Sequence, residues 1–159
     1  MGPDMGTPNR TSILDNIETT LTGITTANGY KTDVTTVERV LKTWDEVGSE
    51  QYPWLGFLAG IATPEYQPGN LMRMILPFTL FGHINEPSST KSDALSDLED
   101  DLIAALNADQ TRGDYAVSTT IKTIMSDDGD PDSDEGSKGG SGTIVMEIEI
   151  VYMRTTASS

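Results

Sequence analysis

Residues 127–136 hold five aspartates and one glutamate, and a cluster of oxygen ligands at this density is the raw material of a calcium site. An EF-hand loop needs ligands at positions 1, 3 and 5, a glycine at 6 and a bidentate glutamate at 12. Counting from Asp130 aligns Asp130, Asp132 and Asp134 but puts Glu135 sixth and Ser141 twelfth. Counting from Asp128 aligns Asp128, Asp130 and Asp132 but puts Ser133 sixth and Gly139 twelfth. Neither register turns or closes, and no helical pattern flanks the segment. Gly, Ser, Asp and Pro are the residues of solvated connections, so residues 127–142 are expected to be an acidic hairpin loop.

The other chemistries lack their parts. His83 is the single histidine and there is no cysteine, so a two-histidine metal motif, a thiolate site and a disulfide are all unavailable. No G-x-S-x-G elbow and no phosphate-cradling glycine motif occurs. The carboxylates of "SDLEDDL" fit the wet side of an amphipathic helix. Neither an enzyme nor a cofactor is expected. Trp54 lies inside an apolar run and belongs in the core, whereas Trp44, Arg73 and His83 are candidate interface anchors.

A net charge of -15 over 159 residues opposes a duplex-binding surface, which needs clustered Lys and Arg to displace counterions. The longest apolar runs, residues 54–62 and 74–80, are far too short for a membrane span. "MGPDMGTPNR" has neither the apolar core nor the basic start of a signal peptide, so a chain without a targeting segment is expected.

What would position these residues is one domain over 11–154, with loose tails at 1–10 and 155–159. Ser12 and Asp15 make a capping pair, Ile13, Leu14, Ile17, Leu21 and Ile24 then recur at helical spacing, and Gly23 is placed to stop the helix. An Asn28-Gly29 turn leads into β-branched residues 33–40, read as a strand, with a helix over 35–44 as its rival. "YPWLGFLAGIA" is a strand entered through Pro53, where Gly56 and Gly60 mark a bulge or close packing. Residues 72–84 and 144–152 alternate strictly, with Glu147 and Glu149 on the second face of the latter. Pro77 puts its strand at an edge or at a bulge. Between them Thr90 and Ser92 are candidate caps of a helix whose stripe is Leu95, Leu98, Leu102, Ala105 and Leu106. Tyr115, Val117, Thr119, Ile121, Thr123 and Met125 form a further alternating strand, joined to the last by the acidic loop. The fold expected is α+β in two layers, a mostly antiparallel sheet of four to five strands packed with two helices.

This order of elements resembles the tail terminator (tail-completion) proteins of long-tailed bacteriophages, with the related neck and minor tail proteins. The stretches that carry the resemblance are "SILDNIETTLTGI", "GYKTDVTTVERV", "YPWLGFLAGIA", "RMILPFTLFGHI", "SDLEDDLIAALNAD" and "GTIVMEIEIVYMR", from Ser12 to Arg154. The resemblance implies a structural virion protein, assembled in the host cytoplasm, whose six copies close a ring at the tail–neck junction. Its partners would be its own copies, the tail tube protein and the neck or head-completion protein. DNA would pass through without specific binding. A neck stopper or minor tail protein is the neighbouring reading, and an acidic calcium-binding adaptor or an acidic DNA mimic is the reading from other classes. If the ring encloses DNA, its lumen is expected to be negative, with Asp127, Asp128, Asp130, Asp132, Asp134, Glu147 and Glu149 as the candidate acids.

Overall fold

Ile13, Ile17, Leu21 and Ile24 are all fully buried, so the first apolar stripe makes a helix that lies with its greasy side on a sheet. The computed structural model describes residues 9–127 and 141–155. Their order is α1 (Asn9–Thr22), β1 (Thr36–Glu38), β2 (Trp54–Ala59), β3 (Thr63–Gln67), β4 (Leu71–Asn85), α2 (Ser88–Ala108), β5 (Ser118–Asp127) and β6 (Ser141–Thr155). Short 3-10 turns occupy Thr26–Asn28, Trp44–Glu46 and Ser49–Gln51. The fold is α+β, a six-stranded sheet ordered β1-β2-β4-β6-β5 with β3 also paired to β4. Every pairing is antiparallel except that of β1 with β2. Both helices contribute their stripes to one core with the even-numbered residues of β4 and β6.

Both helices begin earlier than their polar residues suggest. Ser12 is buried beside Ile13 and is a helical residue, not a cap, so α1 takes in Asn9 and Arg10 of the expected tail. In α2 the carbonyl of Pro87 accepts the N–H groups of Thr90 and Lys91 at 3.0 and 2.9 Å, which starts the helix ahead of Thr90 and Ser92. The acids of α2 are not all on its wet side. Asp101 is buried, and its two oxygens accept the backbone N–H of Lys31 at 3.1 and 3.0 Å. The Lys31 ammonium meets Asp100 at 3.0 Å.

β4 and β6 pair over fifteen residues each, Leu71 with Thr155 through Asn85 with Ser141. Leu76, Phe78, Leu80 and Ile84 therefore share the helix-covered face with Ile144, Met146, Ile148 and Ile150, and all eight are buried. Pro77 falls where β2 has ended and β3 has not begun, and its carbonyl accepts the Gly60 N–H at 2.8 Å. The strand is thus central, and the missing donor falls in the gap between β2 and β3, where no ladder partner stands opposite it.

Three further expectations need correction. The strand read over 33–40 shrinks to Thr36–Glu38, no helix covers 35–44, and residues 39–52 instead form a strap whose Val40 and Lys42 carbonyls lie against Gly56 and His83 on the outer face of the sheet. β3 brings the strands to six; its residues are all exposed, so no apolar alternation announced it. The "PGN" turn after it, with Gly69 and Asn70 both left-handed at φ 83 and 61, was the available signal. In β5 a register shift between Ile121 and Thr123 loops out Lys122. Ile121 and Ile124 therefore share a face, while Thr123 and Met125 take the other.

Candidate assembly surface

The face of the sheet away from the helices carries the residues singled out above. It is built by the odd-numbered residues of β4 and β6, with Trp54, Gly56 and Leu58 of β2 and Thr123, Met125 and Asp127 of β5. One end of it is roofed by the strap. Among the described residues, neither helix nor strap covers the other end, with Thr79, Glu147 and Glu149.

Under the strap sits a satisfied polar cluster. His83 is 2% exposed, stacks on Trp54 with centroids 5.4 Å apart, and meets Phe81 edge-on at 6.0 Å. Its Nε2 lies 2.6 Å from the Lys42 carbonyl, which can only accept, so Nε2 carries the proton. Nδ1, 2.9 Å from the Thr143 hydroxyl, is then the acceptor. The Trp54 indole N–H donates to Glu38 at 2.7 Å, and Lys42 Nζ donates to the same oxygen at 2.9 Å while lying over the indole ring. The hydrogen bonds from Lys42 and then Trp54 hold the Glu38 carboxyl below its ordinary range. Every ring nitrogen is used within the chain, so His83 is a latch for the strap and not an interface anchor.

Burial pushes the His83 pKa below its ordinary 6.5, against a smaller upward pull from the Lys42 carbonyl. The unfolded chain therefore binds a proton that the folded chain refuses. Stability is full above pH 6.5 and falls as pH drops below it, with a limiting slope of about 1.4 kcal/mol per pH unit. Glu38, Glu46 and Asp109 are also held low, but their losses begin only as pH falls through the ordinary carboxylate values of 4.5 and 3.8. Urea unfolding between about pH 5 and 6.5 is expected to show the slope in the parent and not in His83→Phe. An equal slope in both would refute the assignment.

The remaining candidates scatter. Trp44 is half-buried in the strap, its carbonyl accepting the Tyr52 hydroxyl at 2.6 Å. Arg73 lies toward the far end of β4, paired to Glu65 of β3 at 2.8 Å. Neither meets His83. Asp127, Glu147 and Glu149 do share the outer face, and Glu147 accepts a hydrogen bond from Thr79 at 3.0 Å. Asp128, Asp130, Asp132 and Asp134 lie outside the described residues. Glu147 and Glu149, two apart on one strand face, stand roughly 7 Å from each other, a spacing that acid–base pairs use. Glu147 is exposed, however, and open water is a poor place for general acid catalysis. Among the described residues no group of three or more His, Cys, Asp or Glu could hold a metal ion, and no helix is long and apolar enough to cross a membrane.

Sequence reasoning missed the partners Glu38, Lys42 and Thr143. The signal was Trp54-x-Gly56, an aromatic and a glycine two apart on one strand face. A Cβ at Gly56 would run into the indole and the Val40 carbonyl, so the glycine is what lets the ring and the strap lie down. No protein-family model and no curated protein matches the chain.

Proposed function

We propose that this chain is a structural subunit of the tail–neck junction of a long-tailed phage, six copies closing a ring that ends the tail tube and joins the head connector. The observation that carries the reading is the two-layer architecture, with carboxylates on the part of the outer face that the strap leaves open. Both helices occupy one side of the sheet, and Glu147, Glu149 and Asp127 stand on the other. A wall bearing such carboxylates repels phosphates within a Debye length of about 8 Å at physiological salt, which suits a channel that DNA must traverse without sticking. The resemblance in element order supports the same reading, with a neck stopper or minor tail protein as its near variants.

The test is to change Glu147→Gln and Glu149→Gln together in the phage and score assembly and DNA ejection separately. Surface changes of this kind move stability by about 0.5 kcal/mol or less, so particles should assemble normally. Ejection is expected to slow several-fold. Unchanged ejection would remove the channel role of this face, and a chain that native mass spectrometry finds only as a monomer would remove the ring.

A further inference from the structure

We propose that copies of this chain join head to tail, the outer edge of β5, unpaired among the described residues, in one copy against β3 and the end of β2 that runs past β1 in the next. This deepens the ring reading above and rests on it only in requiring self-association. Exposed large apolar side chains gather at these two opposite edges: Leu58, Ile61 and Tyr66 at one, Val117, Ile124 and Met125 at the other. Ile61, Tyr66 and Met125 are 87%, 77% and 66% exposed. Because Lys122 is looped out, Ile124 lies on the helix face and Met125 on the outer one, so the β5 edge is apolar on both sides. A recess of about 410 Å³ runs beside it, floored by Ile103, Ile121 and Ile124, with room for side chains of an added strand.

Charge selects the occupant. Between Tyr52 and Asn85 the only residues charged at neutral pH are Glu65 and Arg73, and between Tyr115 and Ser126 the only one is Lys122. In a chain of net charge -15, the two edges are where another copy can approach without meeting a field of acids. Pairing like with like is disfavoured. An antiparallel β5–β5 pair about the strand centre would bring two Lys122 together, and a β3–β3 pair would set Glu65 opposite Glu65. Setting β5 against β3 brings Lys122 toward Glu65 instead. Glu65 is bonded to Arg73 but is still about half exposed, so it can accept a second cation. Unlike edges on opposite sides make a heterologous contact, which generates a ring when the rotation closes.

The experiment uses Met125→Glu to spoil one edge and Ile61→Glu to spoil the other, with Ile124→Glu and Leu58→Glu as a second pair against misfolding. Each buries an unpaired carboxylate at the contact and should weaken self-association by about a hundredfold or more. By native mass spectrometry the parent should be a closed oligomer and each variant alone a monomer. Mixed, the two variants should give a two-subunit species and nothing larger, since each retains one good edge. If only one variant loses assembly, the contact is isologous and the head-to-tail proposal fails. If both assemble like the parent, these edges are not the interface, and the ring reading survives without them. A parent that is itself monomeric overturns both.

Discussion

Replacing Trp54 with alanine is expected to lower stability by about 3–5 kcal/mol, the range for emptying a large aromatic from a core. Trp54 is fully buried although it stands on the sheet face away from the helices. Its ring fills the space between Gly56, the Val40 carbonyl and the His83 imidazole, and its N–H binds Glu38. Alanine leaves that space empty and takes one of the two donors from Glu38. Domains of this size are stable by about 5–15 kcal/mol, so the change removes a large share of the total. Hydrogen exchange should quicken through residues 39–52 and at His83 before it does in α2, because the strap loses its floor while the helix-side core keeps every contact. Gly56→Ala approaches the same site from the other direction. Its Cβ would meet Trp54 Cζ2 at 2.8 Å, and backbone from the strap as well, for an overpacking cost of about 1–3 kcal/mol. A Trp54→Ala protein within about 1 kcal/mol of its parent by urea unfolding, with unaltered exchange in the strap, would show that this packing does not hold the strap.

The same cluster marks where sequence reading runs out. Period and identity were enough for α1, α2, β4 and β6, because each lays one continuous apolar row on a single core, and a row is a local property. Ile13, Ile17, Leu21, Leu98, Leu102, Ile144 and Ile150 could be named as core from spacing alone. Whether the second face of a strand is wet or covered is not local. His83 and Glu147 both occupy polar-face positions of alternating strands, yet His83 is buried by a strap joined to the sheet about forty residues earlier, and Glu147 is not. The strap has no period of its own. It is held by Thr43, whose N–H and hydroxyl bond Glu46 at 2.8 and 3.0 Å, by Gln51 accepting the Gly48 N–H at 2.8 Å, and by the His83 latch. β5 shows a second limit. One looped-out residue, Lys122, reverses the face of every residue beyond it, and alternation counted straight through Tyr115 to Met125 merges two faces into one. Of the candidate surface acids, Glu147 and Glu149 stand on the non-core face that alternation predicts, since their strand carries no such shift against β4.

Arg112→Met is expected to cost about 2–4 kcal/mol, more than its place in a polar turn suggests. The side chain is fully buried. Its Nη2 donates to the Leu106 carbonyl at 2.6 Å and to that of Asp109, and Nη1 reaches the Thr20 hydroxyl of α1 at 3.5 Å. These carbonyls belong to the end of α2, where the helix leaves acceptors without internal partners and where positive charge is favourable. Burial draws the guanidinium pKa down, opposed by the charge of Asp109. Asp109 is itself tied in, accepting from Gly113 N–H at 3.1 Å and from Asn16 of α1 at 3.2 Å. One residue thus caps α2, fastens it to α1 and sets the turn that launches β5, in which Arg112, Gly113 and Asp114 are all left-handed at φ 49, 69 and 73. Methionine fills much of the volume but supplies no donor, so the Leu106 carbonyl loses its side-chain partner in a buried site. Arg112→Lys keeps the charge and a single point of donation without the fork, and should recover part of the loss. Urea unfolding of the three proteins at one pH decides the matter. A methionine variant as stable as the parent would mean that desolvating the guanidinium costs as much as its hydrogen bonds return, which is the known fate of many buried charges.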